Sequence, residues 1–464
     1  MRSFLVLILL SAFFMIALAG NYGCANIVPP AGGPRDTLPP VLLDANPNDS
    51  SVNFSGNRIT LVFDEFVDLK DVQNNFLFTP IFDINPLVTV RQRTVTVRFR
   101  DTLDANTTYT LNFGDAIVDI NESNVLKDFV YTFSTGPVLD SLEFSGKVLL
   151  AETGKIDSTL IVVLHTNLAD TAVKNFNPRY VSRLDGAGNF RFSNLAPGRY
   201  AVYALGEAGS MRRYQNTKNL FAFADEPIVV SDSTAPVTLY AYRETPEAPP
   251  TGGPTATGNR GDNRLRLTTN VSGDRLDLLG DLVLNFNVPL RMFDSTRVGL
   301  STDSTFAPAS FTSTLDSSGK ILRLKSDWKP GTPYNLVLDR EFAADTAGRQ
   351  LLKTDTLNFT TRQLGDYGKL NIRFRNLDVS RNPVLLFVSN DVVVQSIPIN
   401  GNSISRNLFP PGDYVLRILY DTNGNGKWDA GKFFGTRRQP ELVAPVERRI
   451  TVKAAWDNDF DIVL

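Results

Sequence analysis

Residues 103–113 read LDANTTYTLNF, and 225 residues later residues 328–338 read WKPGTPYNLVL, a match that needs no gap. In both, apolar side chains fall on alternate positions: Tyr109, Leu111 and Phe113 in the first, Tyr334, Leu336 and Leu338 in the second. A period of two marks a β-strand with one buried face. Each stretch is followed by another such strand, YTFSTG from Tyr131 and LNFTTR from Leu357, and preceded by LVFDEF at Leu61 and LNFNVP at Leu284. The unit that holds these strands therefore occurs twice.

A second pair interleaves with the first. GRYAVYALGE at residues 198–207 matches GDYVLRILYD at residues 412–421, with Pro before the Gly in both. The order is A, B, A′, B′. Strands of this length between Asn, Asp, Gly and Pro turns predict an all-β chain, a tandem array of four antiparallel β-sandwiches. The expected bounds are 40–136 for A, 137–243 for B, 263–363 for A′ and 364–464 for B′. Between the halves, residues 244–262 are rich in Pro, Gly and Thr and read as a linker.

Ahead of these units, Arg2 and the apolar run 4–19 read as an export signal over 1–23. The run ends at Asn21-Tyr22-Gly23-Cys24, and Cys24 is the only cysteine. That placement predicts a covalent lipid on Cys24. The alternatives are an ordinary secretory signal cut near Gly20, or a free thiol. Residues 24–39 then form a Pro/Gly tether, whose sixteen residues at ~3.1 Å each would span up to roughly 50 Å. One cysteine excludes internal disulfides, so stability must come from cores, for which 31 Phe and 13 Tyr are available.

Charge is nearly balanced, with 47 basic and 49 acidic side chains. Such balance lacks the basic face that nucleic acid requires, so no nucleic-acid partner is expected. Catalysis also finds little to use. His165 is the only histidine and sits in the apolar stretch TLIVVLHTNL, which excludes a multi-histidine zinc site and predicts a structural role. There is no Gly-x-Ser-x-Gly elbow, phosphate-binding loop or dinucleotide fingerprint, so no catalytic residue is assigned.

The sharpest local motif is DTNGNGKWD at residues 421–429. Asp421, Asn423, Asn425 and Asp429 stand at positions 1, 3, 5 and 9 of a calcium loop, Gly426 at the turn position 6, and the Lys427 carbonyl at position 7. Position 12 is Lys432 where a calcium loop carries Glu, so a further ligand would come from elsewhere, with Glu441 or Asp457, Asp459 and Asp461 as candidates. The competing reading is an Asn-Gly turn between strands. In the first B unit the matching residues are Glu207, Gly209, Met211, Tyr214 and Gln215, so a Ca2+ site belongs to the second copy alone. The three aspartates of WDNDFDIVL fall on one strand face, where their repulsion needs solvent or a cation; a solvated face is the simpler expectation.

The A units, with PPVLLDANP from Pro39, ITLVFDEFV from Ile59 and YTFST from Tyr131, resemble bacterial Ig-like domains. The B units are similar to carboxypeptidase-regulatory-like, or transthyretin-like, sandwiches. They carry SGKV at Ser145, DGAGNFRFSNLAPGRYAVYAL from Asp185 and NLFPPGDYVLRIL from Asn407. CANIVPPAGGPRDTLPPVL from Cys24 resembles the start of Bacteroidota-type outer-membrane lipoproteins. The resemblance implies an outer-membrane protein held by its lipid, with cell-surface display slightly preferred over the periplasmic face. It also implies a non-enzymatic structural or protein-binding scaffold, whose partner would be an envelope or outer-membrane protein such as a barrel complex. The rival reading is a carbohydrate-binding or degrading accessory lipoprotein.

Overall fold

The structure is a computed structural model and describes residues 6, 8, 10–15, 35–82, 84–206, 212–245, 265–302 and 307–464. Cys24 and most of the expected signal, tether and linker lie outside the described residues, as do Glu207, Gly209 and Met211. The chain is all-β. Among the described residues no helix is long and apolar enough to cross a membrane.

The chain divides into two compact units, Met1–Ser141 and Leu142–Leu464. In the first, Leu42–Asn46, Arg58–Phe63, Thr94–Arg98 and Leu87–Arg91 form one antiparallel sheet, and Leu77–Thr79, Thr108–Gly114 and Phe129–Ser134 form another. The alternation read from the sequence points inward, and Ile59, Leu61, Phe63, Tyr109, Leu111, Phe113 and Phe133 are fully buried. Tyr109 stacks between Phe78 and Phe133, with centroids 5.4 and 5.3 Å away. Such ring pairs add to the gain from removing the rings from water.

Among the described residues, three further large cores lie in Leu142–Leu464. One spans Phe144–Ala241, one Leu265–Phe359 and one Leu370–Ile462. The core from Leu265 to Phe359 repeats local details of the first unit. Tyr109 faces Phe133 across the strand pair, and Tyr334 faces Phe359 in the same way. The Tyr109 hydroxyl accepts from the Asp104 N–H at 2.8 Å, and the Tyr334 hydroxyl from the Lys329 N–H at 3.2 Å. Thr135 and Thr361 each accept, at 3.0 Å, from the N–H of Thr107 and Thr332 respectively. Asp119 and Asp345, both buried, each accept the backbone N–H groups of the turn that follows. Burial opposes the charged form of Asp119, yet the N–H groups of Glu122, Asn124 and Ser123 outweigh it and hold the carboxyl below its usual range.

The other two cores also share a plan. In one, Asn189–Leu195, Leu142–Leu150 and Val237–Ala241 face a sheet containing Tyr180–Arg183, Ile161–His165, Gly198–Leu205 and Phe221–Phe223. In the other, Ser403–Phe409, Gly368–Arg375 and Asp457–Val463 face Val392–Pro398, Pro383–Ser389, Gly412–Tyr420 and Leu442–Val452. Antiparallel pairing dominates, but in each of these two cores the last strand lies parallel to the first. In both, the strands of the other sheet come between the two in the chain and supply the crossover that a parallel pair needs. Tyr200 donates to the Ala196 carbonyl at 2.9 Å and Tyr414 to the Pro410 carbonyl at 3.0 Å, four residues back in both.

Candidate functional site: the Asp421 loop and the aromatic face beside it

Asp421 follows the strand Gly412–Tyr420 and is buried. Its carboxylate is the hub of the loop. One oxygen accepts from the N–H of Gly424 at 2.7 Å and, at longer range, from those of Asn423 and Asn425; the other accepts from Gly426 at 2.6 Å. Gly424 and Gly426 take φ of 75° and 73°, a region that suits glycine. Asn423 and Asn425 both donate their side-chain amides to the same Asp429 oxygen, at 2.6 and 2.7 Å. Glu441, also buried, staples the base by accepting from the Thr422 N–H and hydroxyl with one oxygen and from the Asp429 N–H with the other.

The structure thus brings Asp421, Asn423, Asn425 and Asp429 together, with Lys427 between them donating its N–H to the Asn425 side chain at 2.7 Å. Two carboxylates and two amide oxygens suit a hard cation such as Ca2+. Here one Asp429 oxygen is hydrogen-bonded by two amide N–H groups, and no group of three or more His, Cys, Asp or Glu among the described residues is arranged to hold a metal. Glu441 is committed to the loop base. The aspartates of the last strand are committed elsewhere, because the parallel neighbour strand places Lys369, Asn371 and Arg373 opposite Asp457, Asp459 and Asp461. Arg373 reaches Asp461 at 2.7 Å, Asn371 donates to Asp459 at 3.1 Å, and Lys369 stands 3.6 Å from Asp457. Cross-strand cations and an amide, together with solvent, relieve that repulsion.

The chain leaving the loop, residues 430–440, reaches a different sandwich. In the sheet of Ile161–His165, Gly198–Leu205 and Phe221–Phe223, Val162, Leu164, Val202, Ala204 and Ala222 point into the sandwich core. The residues between them, among them His165, Tyr203, Phe221 and Phe223, are buried on the opposite face. Phe433 covers them. Fully buried itself, it has ring centroids 5.5, 5.1 and 4.9 Å from those of Tyr203, Phe221 and Phe223. Phe434 stacks on Tyr214 at 6.0 Å, and Lys174 lies 4.9 Å over the Phe434 ring. The Arg437 guanidinium sits over Phe223 and Phe433, donates to the Ala224 carbonyl at 2.6 Å and pairs with Asp170 at 3.3 Å. Gln439 donates to the Phe223 carbonyl and to Asp225. Glu244 accepts from the Phe433 N–H at 3.0 Å.

Sequence reasoning singled out none of Phe433, Phe434 or Arg437. The signal was in the receiving strands: IVVLH, YAVYAL and FAF are apolar at consecutive positions, the pattern of a sheet buried on both faces. His165 belongs to this face, edge-on to Tyr203 at 5.7 Å, and burial with Arg213 nearby pushes its imidazole down to about 4. The Trp428 position of one copy and the Tyr214 position of the other both anchor the outer face of their sheets. Trp428 packs on Val384, Leu386, Leu419 and Val443, and Tyr214 lies 4.3 Å from Phe221.

Residues 36–135 match the family model of the bacterial Ig-like domain. The match falls on the first compact unit. No curated protein matches the chain. Among solved structures, the chain is similar to the MG0-NIE-MG1 domains of alpha-2-macroglobulin from Escherichia coli, at 13% identity over 42% of this chain and 92% of that one, with a TM-score of 0.20. It is similar to the N-terminal part of the bacterial S-layer protein SbsC at 20% identity over 44% of each chain, with a TM-score of 0.17. It is also similar to BcpA, the major pilin subunit of Bacillus cereus, at 9% identity over 69% of this chain and 98% of that one, with a TM-score of 0.16.

Proposed function

We propose that the chain is a non-enzymatic scaffold of the outer membrane, held by a lipid on Cys24, whose sandwiches present faces to an envelope or outer-membrane protein partner. Four domains with bounds 40–136, 137–243, 263–363 and 364–464 build it, in the order A, B, A′, B′. The observation that carries this reading is the dock of residues 430–440. There a cluster of aromatic and charged side chains binds one sandwich surface to another. Buried aromatics flanked by an arginine are the composition of binding hot spots. A bacterial Ig-like stretch next to the tether supports a spacer role.

The sugar-binding alternative has less to build on, since exposed aromatic platforms are what it needs. Of the three tryptophans, Trp328 is buried, Trp428 is half-buried against its own sandwich, and Trp456 alone is exposed, with Lys453 over its ring at 4.9 Å. In this reading Asp421, Asn423, Asn425, the Lys427 carbonyl and Asp429 would hold Ca2+, which would cross-link the loop from which the docking segment leaves. The deciding experiment is affinity capture of the tagged full chain from solubilised envelopes, beside a blind screen for glycan and peptide hydrolysis. A specific outer-membrane protein recovered in stoichiometric amount supports the scaffold. Turnover in the screen, or recovery of nothing beyond an untagged control, refutes it.

A further inference from the structure

The face that receives residues 430–440 is a site in its own right. Its aromatic residues stand outside the core of the sandwich that carries them, so that core closes without the incoming segment. The matching sheet of the other copy covers its outer face differently, with Trp428 from its own loop. We propose that the Tyr203–Phe221–Phe223 face is a peptide-recognition site for a Phe-Phe-x-x-Arg segment, and that residues 432–439 of the same chain are its intramolecular, releasable ligand.

Specificity follows from contacts that read individual residues. The first Phe enters the box of Tyr203, Phe221 and Phe223. The Arg caps that box and anchors to Asp170 and a main-chain carbonyl. Gly431 lets the segment approach, because a Cβ at that position would lie 2.6 Å from the Tyr242 ring and 2.9 Å from the Pro440 nitrogen. An aromatic anchor, an arginine and directional main-chain bonds together distinguish one short peptide from another.

Release follows from what the segment leaves unsatisfied. His165 Nε2 and the hydroxyls of Tyr214 and Tyr242 are buried at this face without a partner. Each buried polar atom left bare weakens the closed state. The ion pair of the segment, Arg437 with Asp170, is partly exposed. Exposed pairs contribute little, so they guide docking more than they lock it. Between the two docked sandwiches the chain also carries the Leu265–Phe359 core and the Pro, Gly and Thr-rich stretch 244–262, so the ligand is covalently remote from its site.

The test uses the full chain and a fluorescent peptide of residues 430–441, AGKFFGTRRQPE, followed by anisotropy. In the wild-type chain the site is occupied, and apparent affinity is reduced by the closed fraction. Phe433→Ala should therefore bind the peptide at least about tenfold more tightly than wild type. Adding Phe223→Ala should abolish that gain, and a peptide with both Phe replaced by Ser should not bind. A folded Phe433→Ala chain that binds the peptide no better than wild type overturns the proposal. Arg437→Glu, at a partly exposed side chain, should move binding in the same direction and covers the case in which Phe433→Ala fails to fold. Hydrogen exchange of the wild-type chain gives an independent decision: residues 430–440 should exchange at least about tenfold faster than Gly412–Tyr420, and equal protection would make the dock a permanent core.

Discussion

Four tyrosine hydroxyls offer a matched test of the repeats. Tyr200 and Tyr414 donate to carbonyls four residues back, at 2.9 and 3.0 Å, whereas Tyr109 and Tyr334 accept from N–H groups five residues back, at 2.8 and 3.2 Å. All four rings are at most 7% exposed, so Tyr→Phe keeps the packing and removes only the hydroxyl. A net protein hydrogen bond is worth about 1 kcal/mol, which corresponds to a factor of roughly five in an opening equilibrium. The chain holds several cores, so one global unfolding free energy is not a defined quantity. Hydrogen exchange resolved by peptide reads each core separately. Tyr200→Phe should speed the slowest amides of Gly198–Leu205 about fivefold, and Tyr414→Phe should do the same for Gly412–Tyr420. Tyr109→Phe and Tyr334→Phe should act equally on Thr108–Gly114 and Pro333–Leu338. An effect in one member of a pair and none in the other would refute the claim that these bonds do the same work in both copies.

Further outcomes follow from the site and the anchor. Millimolar Ca2+ should slow hydrogen exchange in Gly412–Tyr420 and the loop after it, because a ligand of the folded state stabilises it by mass action; Asp421→Ala with Asp429→Ala should remove the response, and an unaltered response would refute the assigned ligands. Between pH 6.5 and about 4 the unfolded sandwich binds a proton at His165 that the folded one resists, so the stability of the sandwich that holds His165 should fall with falling pH across that window, by up to about 3 kcal/mol. His165→Leu should flatten that part of the profile; an unchanged slope would show that other groups set it. Cys24→Ala should move the chain from the membrane to the soluble fraction, and a variant that still sediments with membranes would end the anchor proposal.

Alternation made the cores legible. Tyr109, Leu111 and Phe113 were placed on one face by counting in twos, and all three are fully buried. The Asp421 loop was legible for a related reason: its groups lie within nine residues, so spacing alone brings them together. What stayed hidden depended on register between remote strands. The aspartates of the last strand looked uncompensated because Lys369, Asn371 and Arg373 are 88 residues away in the chain, and only parallel pairing puts them opposite. Phe433 was hidden for the same reason. An isolated FF after a turn reads as a strand start, and its meaning lies in a sheet face more than two hundred residues earlier.

The two sandwiches whose last strand runs parallel to their first also show how similar folds acquire an interface. Their inner faces do the same job and hold equivalent core residues, with the same tyrosine bond at the same place. Their outer faces differ. The later copy carries a long structured loop whose Trp428 covers its own sheet, with its indole N–H donating to the Glu441 carbonyl at 2.8 Å. The earlier copy has Tyr214 at that place, which covers Phe221 but leaves Tyr203 and Phe223 to be shielded by another segment. An apolar sheet face that its own loop does not cover must find a cover. The later loop supplies it by continuing past Asp429 into Phe433, so one stretch of chain both covers its own sandwich and packs on the earlier one. Shortening the segment between Asp429 and Glu441 would separate these roles, because Trp428 would keep its place while the face of Tyr203, Phe221 and Phe223 lost its occupant.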